Sequence, residues 1–169
     1  MGDLAANEFA TALLVFRVVF GLVFASHGVA KMKSLEGTAG WFESIGMKPG
    51  ALHARAAAGT EIGTGVMFAV GLLTPFAAAG MIGVMVVAAW TVHRKNGFAM
   101  VGDGWEYTFV VGFTAFFVAA LGPGDYSVDE ALGLADTLNG WLGAAIAAAL
   151  GIAGGVGQIV VFFRPPAAD

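Results

Sequence analysis

Arg17, His27, Lys31, Glu61, His93 and Glu106 are ionisable residues inside, or at the ends of, long apolar stretches of this chain, and Trp105 stands beside the last of them. Imidazole and ammonium groups donate hydrogen bonds, and carboxylates relay protons, so the set has the parts of an acid–base site. Glu61 and His27 are the candidates for proton handling. His27, Lys31, His93, Trp105 and Glu106 are the candidates for holding a bound group. Two histidines on different helices also have the form of a bis-histidine haem site. Imidazole with carboxylate could instead take iron or zinc, as in bundle cores. No cysteine is present, which removes disulfides, thiol nucleophiles, Cys-ligated clusters and covalent haem.

The elements that carry these residues belong in a membrane. Of 169 residues 58% are hydrophobic and only 12% charged, about half the charged share of a soluble domain; the mean hydropathy is +0.81. The expected fold is an all-α integral membrane bundle. Five segments are expected to cross, at residues 9–30, 56–73, 76–92, 105–121 and 142–163. The second and third are split only by Thr74-Pro75, which predicts a tight hairpin with Pro75 in the first turn of its helix. The loop between the first two holds Trp41-Phe42, expected to lie flat at the interface. Ser127-x2-Glu130 has the spacing of a capping box, predicting a short amphipathic surface helix without chemistry. Gly59-x3-Gly63 and Gly151-x3-Gly155 are candidate close-packing pairs.

Of the eight Lys and Arg, all but Arg17 lie outside the apolar segments, and with five crossings they share one side. The other side carries Asp3, Glu8, Asp125, Asp129, Glu130 and Asp136 and no basic residue. The positive-inside rule then places the N-terminus outside and the C-terminus in the cytoplasm. Residues 1–10 lack a basic n-region, so the first segment is expected to be an uncleaved helix. No basic stripe suits nucleic acid.

Helix rise gives depth. Arg17 falls about 12 Å below the outer boundary, His27 about 27 Å below it, and Glu61 about 9 Å above the inner edge. His93 and Glu106 fall at that same inner edge, so His27, Lys31, Glu61, His93 and Glu106 are expected in one layer. Each has a structural alternative. Arg17 and Glu61 are about 9 Å apart along the axis, within reach of a mutual ion pair between the first two helices. Lys31 could snorkel, Glu106 could cap with Asp103, His93 could be interfacial, and His27 could be a hydrogen-bonded structural residue.

The ordered pieces Arg17-x3-Gly21-x2-Phe24-x2-His27-Gly28-x2-Lys31, Glu61-x-Gly63, Gly71-Leu-Leu-Thr74, His93-x2-Asn96-Gly97-Phe98, Gly104-Trp105-Glu106-Tyr107 and Leu121-Gly-Pro-Gly124 with Tyr126-Ser127 resemble the DoxX family. The likeness runs over about residues 9–134. It implies a four-helix prokaryotic inner-membrane protein of the kind linked with membrane oxidoreductase systems. Residues 1–134 are then a DoxX-like core, and 135–169 a fifth transmembrane helix with a short cytoplasmic tail that could dock another subunit. Pro75 departs from the family, which often has a basic residue there. The stripe Arg17, Gly21, Phe24, Gly28, Lys31, spaced 4, 3, 4, 3, is expected to face neighbouring helices.

Two functions follow as expectations. In one, the layer binds a quinone headgroup: His27, Lys31 and His93 donate to its oxygens, Glu61 or Glu106 relays protons, and Phe24, Trp90 and Trp105 flank the ring. In the other, the charges fix helix register in a non-catalytic accessory subunit of a larger membrane complex. Haem and metal rank below the quinone, since a site beside Arg94-Lys95 suits a porphyrin poorly. A transporter ranks lower too, because no inverted repeat or broken helix is visible.

Overall fold

The computed structural model describes residues 2–165, and side chains from residue 6 onward. The side chain of Asp3 and the end of the expected tail therefore lie outside what is described. The described residues are helical, apart from turns and one isolated bridge. Helix α1 (Gly2–Lys33) leads through Ser34 to α2 (Leu35–Ser44), then α3 (Gly50–Val70) and α4 (Thr74–Ala88). α4 runs on through a π turn (Ala89–His93) and a 3-10 turn (Arg94–Asn96). α5 (Glu106–Leu121), a short α6 (Val128–Ala131) and α7 (Gly140–Phe162) complete the chain.

Among the described residues three stretches are long and apolar enough to cross a membrane: Ala6–Lys33, Thr74–Asn96 and Gly140–Phe162. α5 is apolar but only 16 residues long, about 24 Å at 1.5 Å per residue. α3 has the length, but His53, Arg55 and Glu61 make it more polar than the others. Large apolar side chains such as Val19, Phe113 and Val160 cover the outside of the bundle, which in water would be an exposed patch far beyond what a soluble monomer carries.

Glycine decides which helices touch. A Cβ on Gly21 would run into the Gly65 carbonyl, one on Gly65 into the Gly21 carbonyl, and one on Gly28 would meet the Ala58 carbonyl at 2.6 Å. So α1 and α3 pack backbone to backbone, and the stripe Arg17, Gly21, Phe24, Gly28 is buried between them. Gly151 and Gly155 do the same for α7 against Ile82 and Val86 of α4. Gly59 and Gly63 do not: both are exposed with nothing within 4 Å. Leu13, Phe24, Phe68, Met81, Met85, Val111 and Val118 fill the core.

The expected hairpin is present, but its break falls earlier than Thr74-Pro75. Gly71 closes α3 in the left-handed conformation (φ 68°), and Thr74 already begins α4. Leu73, also left-handed at φ 45°, is held there by the buried Asp129. That carboxylate accepts from Leu73 N (2.6 Å), Thr74 N (2.9 Å) and the Thr74 hydroxyl (2.8 Å). Of the expected capping box the Ser127 half forms, with Glu130 N donating to Ser127 Oγ at 3.1 Å. Its helix stops after Ala131, because Gly133 turns left-handed (φ 68°) and sends Leu134 N back to the Asp129 carbonyl.

The far end of α7 is tied back. Arg164 N donates to Gly46 O (2.7 Å) and Lys48 N to Phe162 O (3.2 Å), around the bridge between Met47 and Phe163. Phe42, Met47, Ala54 and Val87 form a second cluster beneath it.

Candidate functional site

Gly28 brings α1 so close to α3 that Lys31, one turn on, reaches Glu61. Its ammonium donates to both carboxylate oxygens, at 2.8 Å and 2.7 Å. The Glu61 side chain is 5% exposed and that of Lys31 26%, so the pair is sunk at the mouth of the bundle rather than snorkelled free. The expected Arg17–Glu61 ion pair is not made. The antiparallel register sets Gly28 opposite Ala58 and Glu61, but Arg17 opposite Gly71, where a Cβ would collide with its guanidinium. Arg17 is fully buried and donates through Nη2 to Tyr126 O at 2.6 Å. Its Nε and Nη1 have no partner among the described residues, with the Asp129 carboxylate within electrostatic reach. The pieces quoted above thus gather at two ends: Arg17, Gly71, Thr74, Tyr126 and Ser127 at one, and His27, Lys31, Glu61 and His93 at the other.

That second group lines one cavity of about 200 Å³. Phe24 and His27 come from α1, Trp41 from α2, Thr60 and Glu61 from α3, Thr91 and His93 from the π turn, Tyr107 and Thr108 from α5, and Gln158 from α7. Its walls are mostly apolar with a few polar side chains among them, the usual makeup of a ligand site. Its size is below the ~300–1,000 Å³ of drug-sized pockets, which suits one ring better than a macrocycle. His93 Nδ1 is 2.7 Å from Asp103 O, which fixes the ring and leaves Nε2 unoccupied. π turns recur where a helix is adapted to function, and this one carries Thr91 and His93 into the cavity.

Trp105 and Glu106 are placed elsewhere. The Glu106 carboxylate accepts from Met100 N at 2.8 Å, capping the 3-10 turn (Met100–Gly102) in its own loop. Trp105 packs edge-on to Phe98 at 4.7 Å and lines a separate groove. One residue along a helix is a rotation of about 100°, so their neighbours Tyr107 and Thr108 face the cavity. Trp90 sits under the Arg94 guanidinium at 4.2 Å. No three His, Asp or Glu among the described residues stand together as metal ligands.

His53 escaped the sequence reading. It is 1% exposed, edge-on to Phe162 at 5.0 Å, with Nδ1 2.9 Å from Gln158 Nε2 and Nε2 unpartnered. Pro49-Gly50 was the available signal: read as a helix start, it places His53 on α3 rather than in a loop.

Residues 12–94 match the family model described as DoxX. This stretch is a DoxX domain. It supplies α1 to α4, and with them His27, Lys31, Glu61 and His93; Tyr107, Thr108 and Gln158 join the cavity from beyond the matched stretch. A protein of Bacillus subtilis (strain 168), named "Putative oxidoreductase CatD", is 29% identical over 116 residues, covering 69% of this chain and 83% of the relative. No solved structure matches. The chain thus carries a DoxX domain over residues 12–94, has helices long and apolar enough to cross a membrane, and is similar to a distant relative named as an oxidoreductase.

Proposed function

We propose that this DoxX protein is a redox-linked membrane subunit that binds a quinone headgroup in its cavity. The reading rests on one observation: His27, Lys31, Glu61 and His93, from three helices, line a single cavity walled by Phe24, Trp41 and Tyr107. Reducing a quinone to a quinol takes two electrons and two protons. Lys31 and His27 donate hydrogen bonds to the carbonyl oxygens, His93, whose Nδ1–H is held by Asp103 O, accepts through Nε2 from the quinol hydroxyl, and Glu61 passes protons through Lys31. The electrons come from a partner, a membrane oxidoreductase subunit carrying its own redox group. By the positive-inside rule this end of the bundle faces the cytoplasm of a prokaryotic cell, with the N-terminus outside.

The test is equilibrium binding of a tail-less dimethoxy-methyl-benzoquinone to the purified protein. Saturable binding is expected, weakened at least tenfold by Glu61→Gln. Absence of saturable binding, or identical binding by the variant, overturns the reading.

One observation favours a second reading, a non-catalytic accessory subunit: the Lys31–Glu61 pair closes on itself, as a clasp between α1 and α3 would. On that reading neutral replacements lower the yield of a larger complex on gentle purification, and the benzoquinone does not bind.

A further inference from the structure

We propose that the groove between α4, α5 and α7 holds the alkyl tail of the molecule whose head occupies the cavity, so that the ligand is a tailed, membrane-dissolved carbonyl compound entering sideways between helices. This rests on the quinone reading of the cavity.

The groove, about 310 Å³, is lined by Ile82, Met85, Val86, Phe109, Gly112 and Ile152 among others. Its polar side chains are Trp105 and Thr108, and the Thr108 hydroxyl is spent on Trp105 O at 2.7 Å. Hydrocarbon is what such a surface accepts. Met85 and Thr108 line both the groove and the cavity, so the two spaces share a wall. Met85 is an unbranched chain with three rotatable bonds, the side chain best able to swing out of a passage. The π turn spans the same boundary: Ala89, its first residue, lines the groove and His93, its last, lines the cavity. A cavity of about 200 Å³ has no room for both a ring and a chain. A tail must leave it, and the Met85–Thr108 wall leads to a space of matching chemistry. At Gly112 the floor is open: a Cβ there would meet only Met85 Cβ, at an ordinary 3.7 Å.

The test fills the groove from two helices separately, with Gly112→Leu and Ile152→Trp. Binding of the tail-less benzoquinone and of its decyl-chain analogue is measured in lipid nanodiscs of one composition, each variant against wild type with the same probe, which cancels partitioning. The expected result is at least tenfold weaker decyl binding in both variants, with tail-less binding within twofold. Decyl binding that is unchanged, as when the groove holds an ordinary phospholipid chain, overturns the inference and leaves the cavity reading intact. Equal losses for both probes in both variants also overturn it. Failure of the wild type to bind the tail-less probe removes the cavity reading, and this inference with it.

Discussion

Replacing Lys31 by Met tests the buried ion pair most directly. The stem keeps its length, but Glu61, 4% exposed, loses the only donor its two oxygens have among the described residues. Removing one member of a buried pair costs about 3–5 kcal/mol, because the remaining charge is stranded. Here the Lys31 side chain is 26% exposed, so water at the mouth recovers part of that, and we expect about 2–3 kcal/mol. At about 2–4 °C per kcal/mol for a chain of this size, melting falls by about 4–12 °C. Glu61→Gln is milder, about 1 kcal/mol, since the ammonium can hydrate and an amide oxygen still accepts one bond. The double variant Lys31→Met/Glu61→Gln buries no charge and is expected to melt above Lys31→Met alone, a coupling of about 2 kcal/mol. The assay is thermal unfolding followed by tryptophan fluorescence in one nanodisc preparation. Strictly additive shifts, or Glu61→Gln proving the worse single change, would refute the reasoning.

The two small-residue motifs should respond with opposite signs. Gly59→Ala and Gly63→Ala meet nothing within 4 Å and are expected to be neutral or to stabilise by up to about 1 kcal/mol each, whereas Gly151→Ala drives a Cβ into Ile82 and the Ala79 carbonyl and should lower the melting temperature. Asp129→Ala removes three hydrogen bonds to the α3–α4 turn, at about 1 kcal/mol each, and the charge facing Arg17; limited proteolysis should then cut between residues 71 and 74. Glu106→Gln, whose carboxylate serves its own loop, should leave benzoquinone affinity within twofold of wild type.

Apolar length made the helices readable from sequence, because hydrocarbon-facing segments declare themselves over many residues. The α1 stripe was readable for the same reason, its 4, 3, 4, 3 spacing leaving one face for a neighbour. Partner choice was not. Depth estimates put Arg17 within reach of Glu61, but contact depends on the register of α1 against α3, and that is set by which glycines oppose which carbonyls. Gly59-x3-Gly63 and Gly151-x3-Gly155 are indistinguishable as strings; only packing separates them. At the head of α5 a single turn through about 100° decided that Tyr107 and Thr108, rather than Trp105 and Glu106, reach the cavity. Gln158 had no signal at all, since an amide on a fifth helix acquires meaning only when that helix packs on α4.

The backbone ties from Arg164 to Gly46 and from Lys48 to Phe162 bear on the order of assembly. The ribosome delivers the two halves of this latch more than a hundred residues apart, on the order of ten seconds at about 5–20 residues per second. During that interval Gly46 O and Lys48 N have only water in place of their partners on α7. The latch therefore closes only after α7 has been delivered, and a chain cut short before Gly140 is expected to leave the loop at residues 46–48 open to proteases.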